Sequence, residues 1–304
     1  MTSQNVQIIE VSPRDGIQNE SQILNLDTKL ALIDRAVRAG AARIEVTSFV
    51  NPKRVPQMAD ADDLASALPR GVAAKYIGLA LNRRGFERAL AGRLDEVNFV
   101  VVATDTFNRR NQGVATQDSI DAFAAIRAAA DGRIDVGVTI GAAFGCPFEG
   151  EVPLDRLMNV VESCMAANPH EIALADTIGV ATPKDVAERV GAVRAAFPET
   201  PIRLHLHNTR NTGIANAWAG VVAGVTALDS SFGGVGGCPF APRATGNIAT
   251  EDLVYMLERS GIETGVSLEA AIEAAPWLEA RLSKTSPGMV MKAGGFPRPV
   301  EAAA

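Results

Sequence analysis

The chain has 304 residues, 47% of them apolar and 21% charged, with 35 acidic against 29 basic side chains and a formal charge of −6. That is enough apolar material for a packed core, and it excludes a disordered chain. No apolar stretch approaches the roughly 18 residues of a membrane helix, and an acidic balance without basic blocks excludes nucleic acid as the expected partner. Residues 1–7 lack the basic-then-apolar order of a secretory signal, so a cytoplasmic address is expected. Cys146, Cys164 and Cys238 are an odd number for a disulfide framework and are read as thiols.

From the N-terminus onward, short β-branched runs alternate with longer Ala-rich amphipathic ones, the pattern of parallel strands joined by crossover helices. Strands are predicted over residues 6–11, 43–47, 73–81, 96–102, 134–140, 171–174, 202–206 and 225–229. Among the intervening helices, 28–39 is stopped by Gly40, 117–130 is capped by Asp118 or Ser119, and 250–259 carries Glu251 and Asp252 at its positive end. Eight such pairs in about 250 residues fit a closed (β/α)8 barrel better than an open doubly wound sheet. The α/β reading is therefore one TIM-barrel domain over 1–304, the barrel at about 6–260 and a helical extension at about 265–304. Residues 294–299 are too rich in Gly and Pro to be a core element.

Side chains at the C-terminal ends of barrel strands face the site. That rule selects Arg14 and Asp15 after the first strand, Glu45 and Ser48 after the second, Asp176 and Thr177 after the sixth, and His205 and His207 on the seventh. The two histidines stand two apart, so period-two geometry puts both imidazoles on one face. Inside a barrel they are either metal-bound or satisfied by core neighbours. Asp15 would add a hard oxygen, completing a mixture suited to Mg, Mn or Zn. Arg14 lies beside it, with a surface ion pair in a turn as the alternative. His170 reads as a loop residue. Gly233, Gly234, Gly236 and Gly237 lead to Cys238 in what reads as a lid; a phosphate-cradling loop is the weaker option, because the Lys of a Walker sequence is missing. Cys164 reads as an inert small hydrophobe in a helix, and Cys146 either lines the site or packs beneath it.

The runs Arg14-Asp15-Gly16-Ile17-Gln18-Asn19-Glu20, Thr47-Ser48-Phe49-Val50, Val55-Pro56-Gln57-Met58, Asp176-Thr177-Ile178-Gly179 and Gly236-Gly237-Cys238-Pro239-Phe240, with Gly246-Asn247 following, resemble the hydroxymethylglutaryl-CoA lyases over about residues 7–265. The resemblance implies a TIM barrel of the metal-dependent lyase and synthase superfamily, with an acyl-CoA substrate and a homo-oligomeric state, dimer or higher. It assigns Asp15, His205, His207 and Asn247 to a divalent metal, Mg or Mn. It makes Arg14 the group that polarises the thioester carbonyl and Cys238 an acid/base participant, and it puts Gln18, Glu45, Thr139, Asp176 and Thr177 on the substrate side. The expected reaction is cleavage of a 3-hydroxyacyl-CoA, hydroxymethylglutaryl-CoA or a close analogue, to acetyl-CoA and a keto acid.

Departures bear on the substrate. Where lyases that cleave hydroxymethylglutaryl-CoA carry an Arg and a Tyr on the fifth strand facing the far carboxylate, this chain has Gly137 and Thr139. The Ser before the Asp-Thr-Ile-Gly turn is Ala173, and the His-x-His-Asp-Thr motif reads His205-Leu206-His207-Asn208-Thr209. Such a pocket suits another 3-hydroxyacyl-CoA, such as citramalyl-CoA with its carboxylate on the carbinol carbon, or a bulkier branched glutaryl-CoA. Arg210 and Arg243 are candidates to replace the missing Arg. A Claisen-type synthase is disfavoured by the ~40 residues after the barrel, too few for a further domain. A non-catalytic barrel would turn over no acyl-CoA.

Overall fold

A computed structural model describes residues 5–237 and 246–297. Its centre is a closed barrel of eight parallel strands in sequential order: β1 (Gln7–Glu10), β2 (Arg43–Ser48), β3 (Lys75–Ala80), β4 (Glu96–Val102), β5 (Asp135–Gly141), β6 (Ile172–Asp176), β7 (Ile202–Leu206) and β8 (Ala227–Ser230), with β8 pairing back onto β1. All eight predicted strands are present, β4 and β7 with the predicted bounds and the others with ends displaced by at most two residues. Each strand is buried on both faces, which explains why apolar runs rather than clean alternation marked them. A register shift between Glu45 and Thr47 in β2 re-aims the side chains at that strand's C-terminal end.

Helices α1 (Leu26–Arg38), α2 (Ala61–Ala67), α3 (Arg83–Ala91), α4 (Asp105–Gln112), α5 (Thr116–Ala130), α6 (Leu154–Met165), α7 (Pro183–Ala196), α8 (Gly213–Ala223) and α9 (Thr250–Arg259) surround the barrel. The large core fills the space between the barrel's outer face and this ring, whereas Ile9, Val11, Ile77 and Ala227 form a small plug inside. Helix α1 starts two residues before its predicted position, because the Asn25 side chain accepts from Thr28 N–H and so sets the N-cap. Gly40 stops it as expected, at φ +89°. The expected cap of α5 is corrected: the helix begins at Thr116, Asp118 sits in its first turn and accepts from Ala115 N–H, and Ser119 is buried against Asn108.

The extension past the barrel is helical, as expected. Helix α10 (Leu268–Leu282), capped by Ser267, packs on α1 and α9, and α11 (Val290–Ala293) follows. Of the Gly/Pro-rich tail, 294–297 lies outside any helix or strand, while Arg298 and Pro299 fall outside the described residues. Among the described residues, no helix is long and apolar enough to cross a membrane.

Candidate active site

The chain leaves β1 through a single π-helical turn, Ser12–Gly16, in which the amides of Arg14 and Gly16 both donate to the Val11 carbonyl. This widened turn presents consecutive residues, Arg14 and Asp15, to the barrel mouth. Arg14 is 7% exposed: its Nε donates to Glu45 Oε2 at 2.7 Å, Nη2 lies 2.5 Å from the same oxygen, and Nη1 donates to Asp15 Oδ1 at 2.6 Å. A guanidinium has five N–H donors, so two remain for a substrate.

On β7, His205 and His207 converge, their Nε2 atoms 3.2 Å apart. Asp15 Oδ2 stands 3.7 Å from the first and 3.9 Å from the second. Asn247, bridged by backbone to His207, donates its amide nitrogen to Asp15 Oδ2 at 2.9 Å and to the Val235 carbonyl at 3.1 Å. The four residues that the resemblance assigned to a metal therefore meet at one point, although Asn247 turns its amide nitrogen toward Asp15. Two imidazole nitrogens and a carboxylate oxygen aimed at a common centre form the donor set of a divalent cation.

Charge within the barrel agrees. Arg14, Arg43 and Arg203 oppose the buried carboxylates of Asp15, Glu45, Glu96, Glu171 and Asp229, and Lys75 reaches Glu96 from the rim at 3.9 Å, so the carboxylates remain in excess, a balance that favours a cation. Burial alone would raise the Asp15 carboxyl, but Arg14 and the two imidazoles outweigh it and hold the group below the usual carboxylate range. Burial likewise disfavours protonated His205, yet the Asp229 carboxylate reverses the balance and moves it up. His207 lacks that partner; burial, with His205 beside it, lowers it to about 4.

A cavity of about 760 Å3 opens above this centre, lined among others by Gln18, Asn98, Thr139, Thr177 and Gly237. Gln18 accepts from Ser48, and Thr177 Oγ1 accepts from Ala142 N–H. Glu45 lies behind Arg14 rather than in the lining. Both oxygens of Asp176 are taken by the amides of Val180 and Ala181, which turns that side chain into the β6–α7 loop. Arg210 donates to the carbonyls of Ile178 and Gly179 and so braces the same loop. Cys238 and Arg243 lie outside the described residues. Cys146 is buried, its sulfur accepting from the Thr104 hydroxyl at 3.1 Å, and it does not line the cavity. Cys164 is buried in α6, where desolvation pushes the thiol up to about 12. His170 lies in the approach to β6, 3.9 Å from Asp135 at the opposite end of the barrel.

Three functional side chains escaped the sequence reading: Asn98, Arg203 and Asp229. Asp229 Oδ2 accepts from His205 Nδ1 at 3.0 Å, which leaves Nε2 free to face a cation. Its position as the last residue of the predicted eighth strand was the available signal.

These donors occupy the C-terminal face, where barrels of this architecture do their chemistry, so fold and site define a TIM-barrel enzyme whose mouth gathers a group able to hold a cation. The HMGL-like family model matches residues 5–277. An enzyme named (R)-citramalyl-CoA lyase from Chloroflexus aurantiacus is 45% identical over 95% of each chain, and a hydroxymethylglutaryl-CoA lyase of Bacillus subtilis is 39% identical over 93% of this chain and 95% of that one. Among solved structures, an HMG-CoA lyase from Acinetobacter baumannii, in complex with coenzyme A and 3-methylmalate, superposes with a TM-score of 0.93 at 38% identity, covering 98% of this chain and 99% of that one. The chain belongs to the HMGL-like family and is a carbon–carbon lyase.

Proposed function

We propose that the chain cleaves a 3-hydroxyacyl-CoA whose carboxylate stands directly on the carbinol carbon, citramalyl-CoA being the simplest, to acetyl-CoA and a 2-oxo acid. One observation carries the choice. On β5 the cavity is lined by Thr139 and Gly141, and the single Thr139 proton is already given to Asn98 Oδ1 at 2.9 Å. No cation on that strand awaits a carboxylate one carbon further out. A methyl group facing this wall loses nothing, whereas an unpaired carboxylate there would pay desolvation without return.

Asp15, His205 and His207, with Asn247, would hold Mg2+ or Mn2+. Such an ion, when bound, supplies Lewis acidity to the hydroxyl and carboxylate of the substrate. The remaining work belongs to the chain. As the hydroxyl proton passes to Cys238 as thiolate and the C2–C3 bond breaks, the electron pair moves onto the thioester as an enolate. The two free N–H groups of Arg14 meet that oxygen, and Glu45 keeps the guanidinium plane fixed while they do so. Cys238, next in sequence after Gly237, is assigned proton delivery to C2, which releases acetyl-CoA.

The test is a panel of 3-hydroxyacyl-CoA esters, with acetyl-CoA release as the readout. Both citramalyl-CoA stereoisomers, hydroxymethylglutaryl-CoA and a longer branched glutaryl-CoA are compared by kcat/KM. One citramalyl-CoA isomer is expected to exceed the glutaryl esters; equal or better cleavage of hydroxymethylglutaryl-CoA would overturn the assignment.

A further inference from the structure

Beneath the cavity floor lies a cation that the reaction above does not use. Arg203 is 2% exposed and sits on β7 two residues before His205, one layer deeper on the same inward face. Strand register places Thr139, Ala173 and Arg203 side by side across β5, β6 and β7, with Ala227 on the other flank. Both neighbours of Arg203 are alanines, and Gly137 contributes no side chain below Thr139. A long side chain can therefore cross the floor of the barrel, and Arg203 does: its Nη2 donates to Thr139 Oγ1 at 3.3 Å, two strands away.

Two arms leave this guanidinium. In the first, Arg203 donates to Thr139, Thr139 donates to Asn98 at 2.9 Å, and Asn98 donates to Glu45 Oε1 at 3.3 Å; Glu45 in turn accepts from Arg14. Every donor in that series points the same way, toward the carboxylate that fixes Arg14. In the second, Arg203 Nε stands 3.7 Å from Asp229 Oδ1 and 3.4 Å from Glu171 Oε1, and the other Asp229 oxygen accepts from His205 Nδ1. Among the described residues neither Arg203 Nε nor Asp229 Oδ1 has a hydrogen-bond partner, so charge holds that contact.

We propose that Arg203 is a positioning residue that sets both halves of the site from below. Through Asp229 it orients His205 toward the cation, and through Thr139, Asn98 and Glu45 it orients Arg14 toward the enolate oxygen. The proposal rests on the lyase reading but not on which acyl group is cleaved.

The experiment uses the full chain stripped of metal, and its substrate is whichever acyl-CoA the parent enzyme turns over. Mn2+ affinity, measured by titration without substrate, is read beside kcat and KM for Arg203→Met, Arg203→Lys and Thr139→Val. Arg203→Met is expected to weaken Mn2+ binding at least about tenfold, the usual scale for losing a group behind a metal ligand, and to lower kcat while KM changes little. Lysine can meet Asp229 and Glu171 but has no fork for Thr139. Arg203→Lys is therefore expected to recover Mn2+ affinity and not kcat, and Thr139→Val should do the same. If Arg203→Met binds Mn2+ and turns over like the parent, the role is overturned. Should the Met variant fail to fold, the other two decide: parental kcat in both overturns the proposal, and low kcat with parental Mn2+ affinity supports it. A change of preferred ester in the acyl panel, with these results intact, would sink only the substrate assignment.

Discussion

Arg14 makes three contacts through one planar group, two to Glu45 and one to Asp15, and this leaves its last two donors in a fixed direction. Lysine keeps the charge but has neither the plane nor the fork. Arg14→Lys is therefore expected to lower kcat/KM by roughly 10²–10³-fold, the scale for removing a preorganised oxyanion donor, with Mn2+ affinity retained. Parental kcat/KM in that variant would remove the enolate contact. The same scale explains what was legible in the chain and what was not. His205 and His207 announced a shared face because a strand repeats every two residues, and Asp15 followed from its place after β1. Arg203 and Asn98 gave no such sign: in strands buried on both faces an inward polar residue looks like any other, and the partner of Arg203 stands 64 residues away in sequence. Asp176 shows the converse. An acid at a strand end reads as facing substrate, but the turn at Gly179, with φ +62°, brings the amides of Val180 and Ala181 back onto it.

Between β1 and α9 two carboxyl groups are buried together. Glu10 accepts from Ser12, Phe232 and Thr250, while Glu251 accepts from Gly233 N–H and leaves Oε1 unpartnered. Burial raises Glu10 to about 7 and Glu251 to about 8, against an ordinary value of 4.5. Each group thus binds its proton more tightly in the folded chain than in the unfolded one. Stability must then fall as pH rises from the unfolded value toward about 8, and level off above it. Glu251→Gln removes the charge that burial penalises and gives the orphan position a donor. Its thermal midpoint is expected to match the parent near about pH 5 and to exceed it by several degrees above about pH 8, the sign that linkage demands. Superimposable melting profiles at both ends would show that Glu251 pays no such penalty. At this scale the chain was readable for the strands and for α9, whose acidic first turn marked its start. Helix α4 was not, because Asp105-Thr106-Phe107-Asn108-Arg109-Arg110-Asn111-Gln112 carries one large apolar residue and shows no amphipathic period. The tertiary contacts of Phe107 and Asn108 hold it instead.

Across the whole molecule the barrel stacks its internal charges in tiers, with carboxylates in excess. At its N-terminal end, Arg43 joins Glu96 and Glu171; higher up, Arg203 shares Glu171 with it and reaches Asp229; at the mouth, Arg14 serves Glu45 and Asp15. The carboxylates still outnumber the guanidinium groups, and part of the excess lies at the mouth, where Asp15 and Glu45 share Arg14 beside two imidazoles. Removing a partner from buried charge is costly, so the folded chain must gain from a dication that the unfolded chain cannot hold in the same geometry. Ligand linkage gives the size: free Mn2+ at a hundred times its dissociation constant contributes about 2.7 kcal/mol, which for a domain of this length raises the melting temperature by roughly 5 °C. Melting curves recorded in EDTA and across an Mn2+ series should climb logarithmically once the ion exceeds its dissociation constant. Asp15→Asn, which removes one ligand charge, should flatten the climb without lowering the EDTA midpoint by a comparable amount, since it also relieves the anionic excess. If millimolar Mn2+ or Mg2+ leaves the parent midpoint where EDTA puts it, the three-residue donor set holds no cation and the charge balance has another explanation.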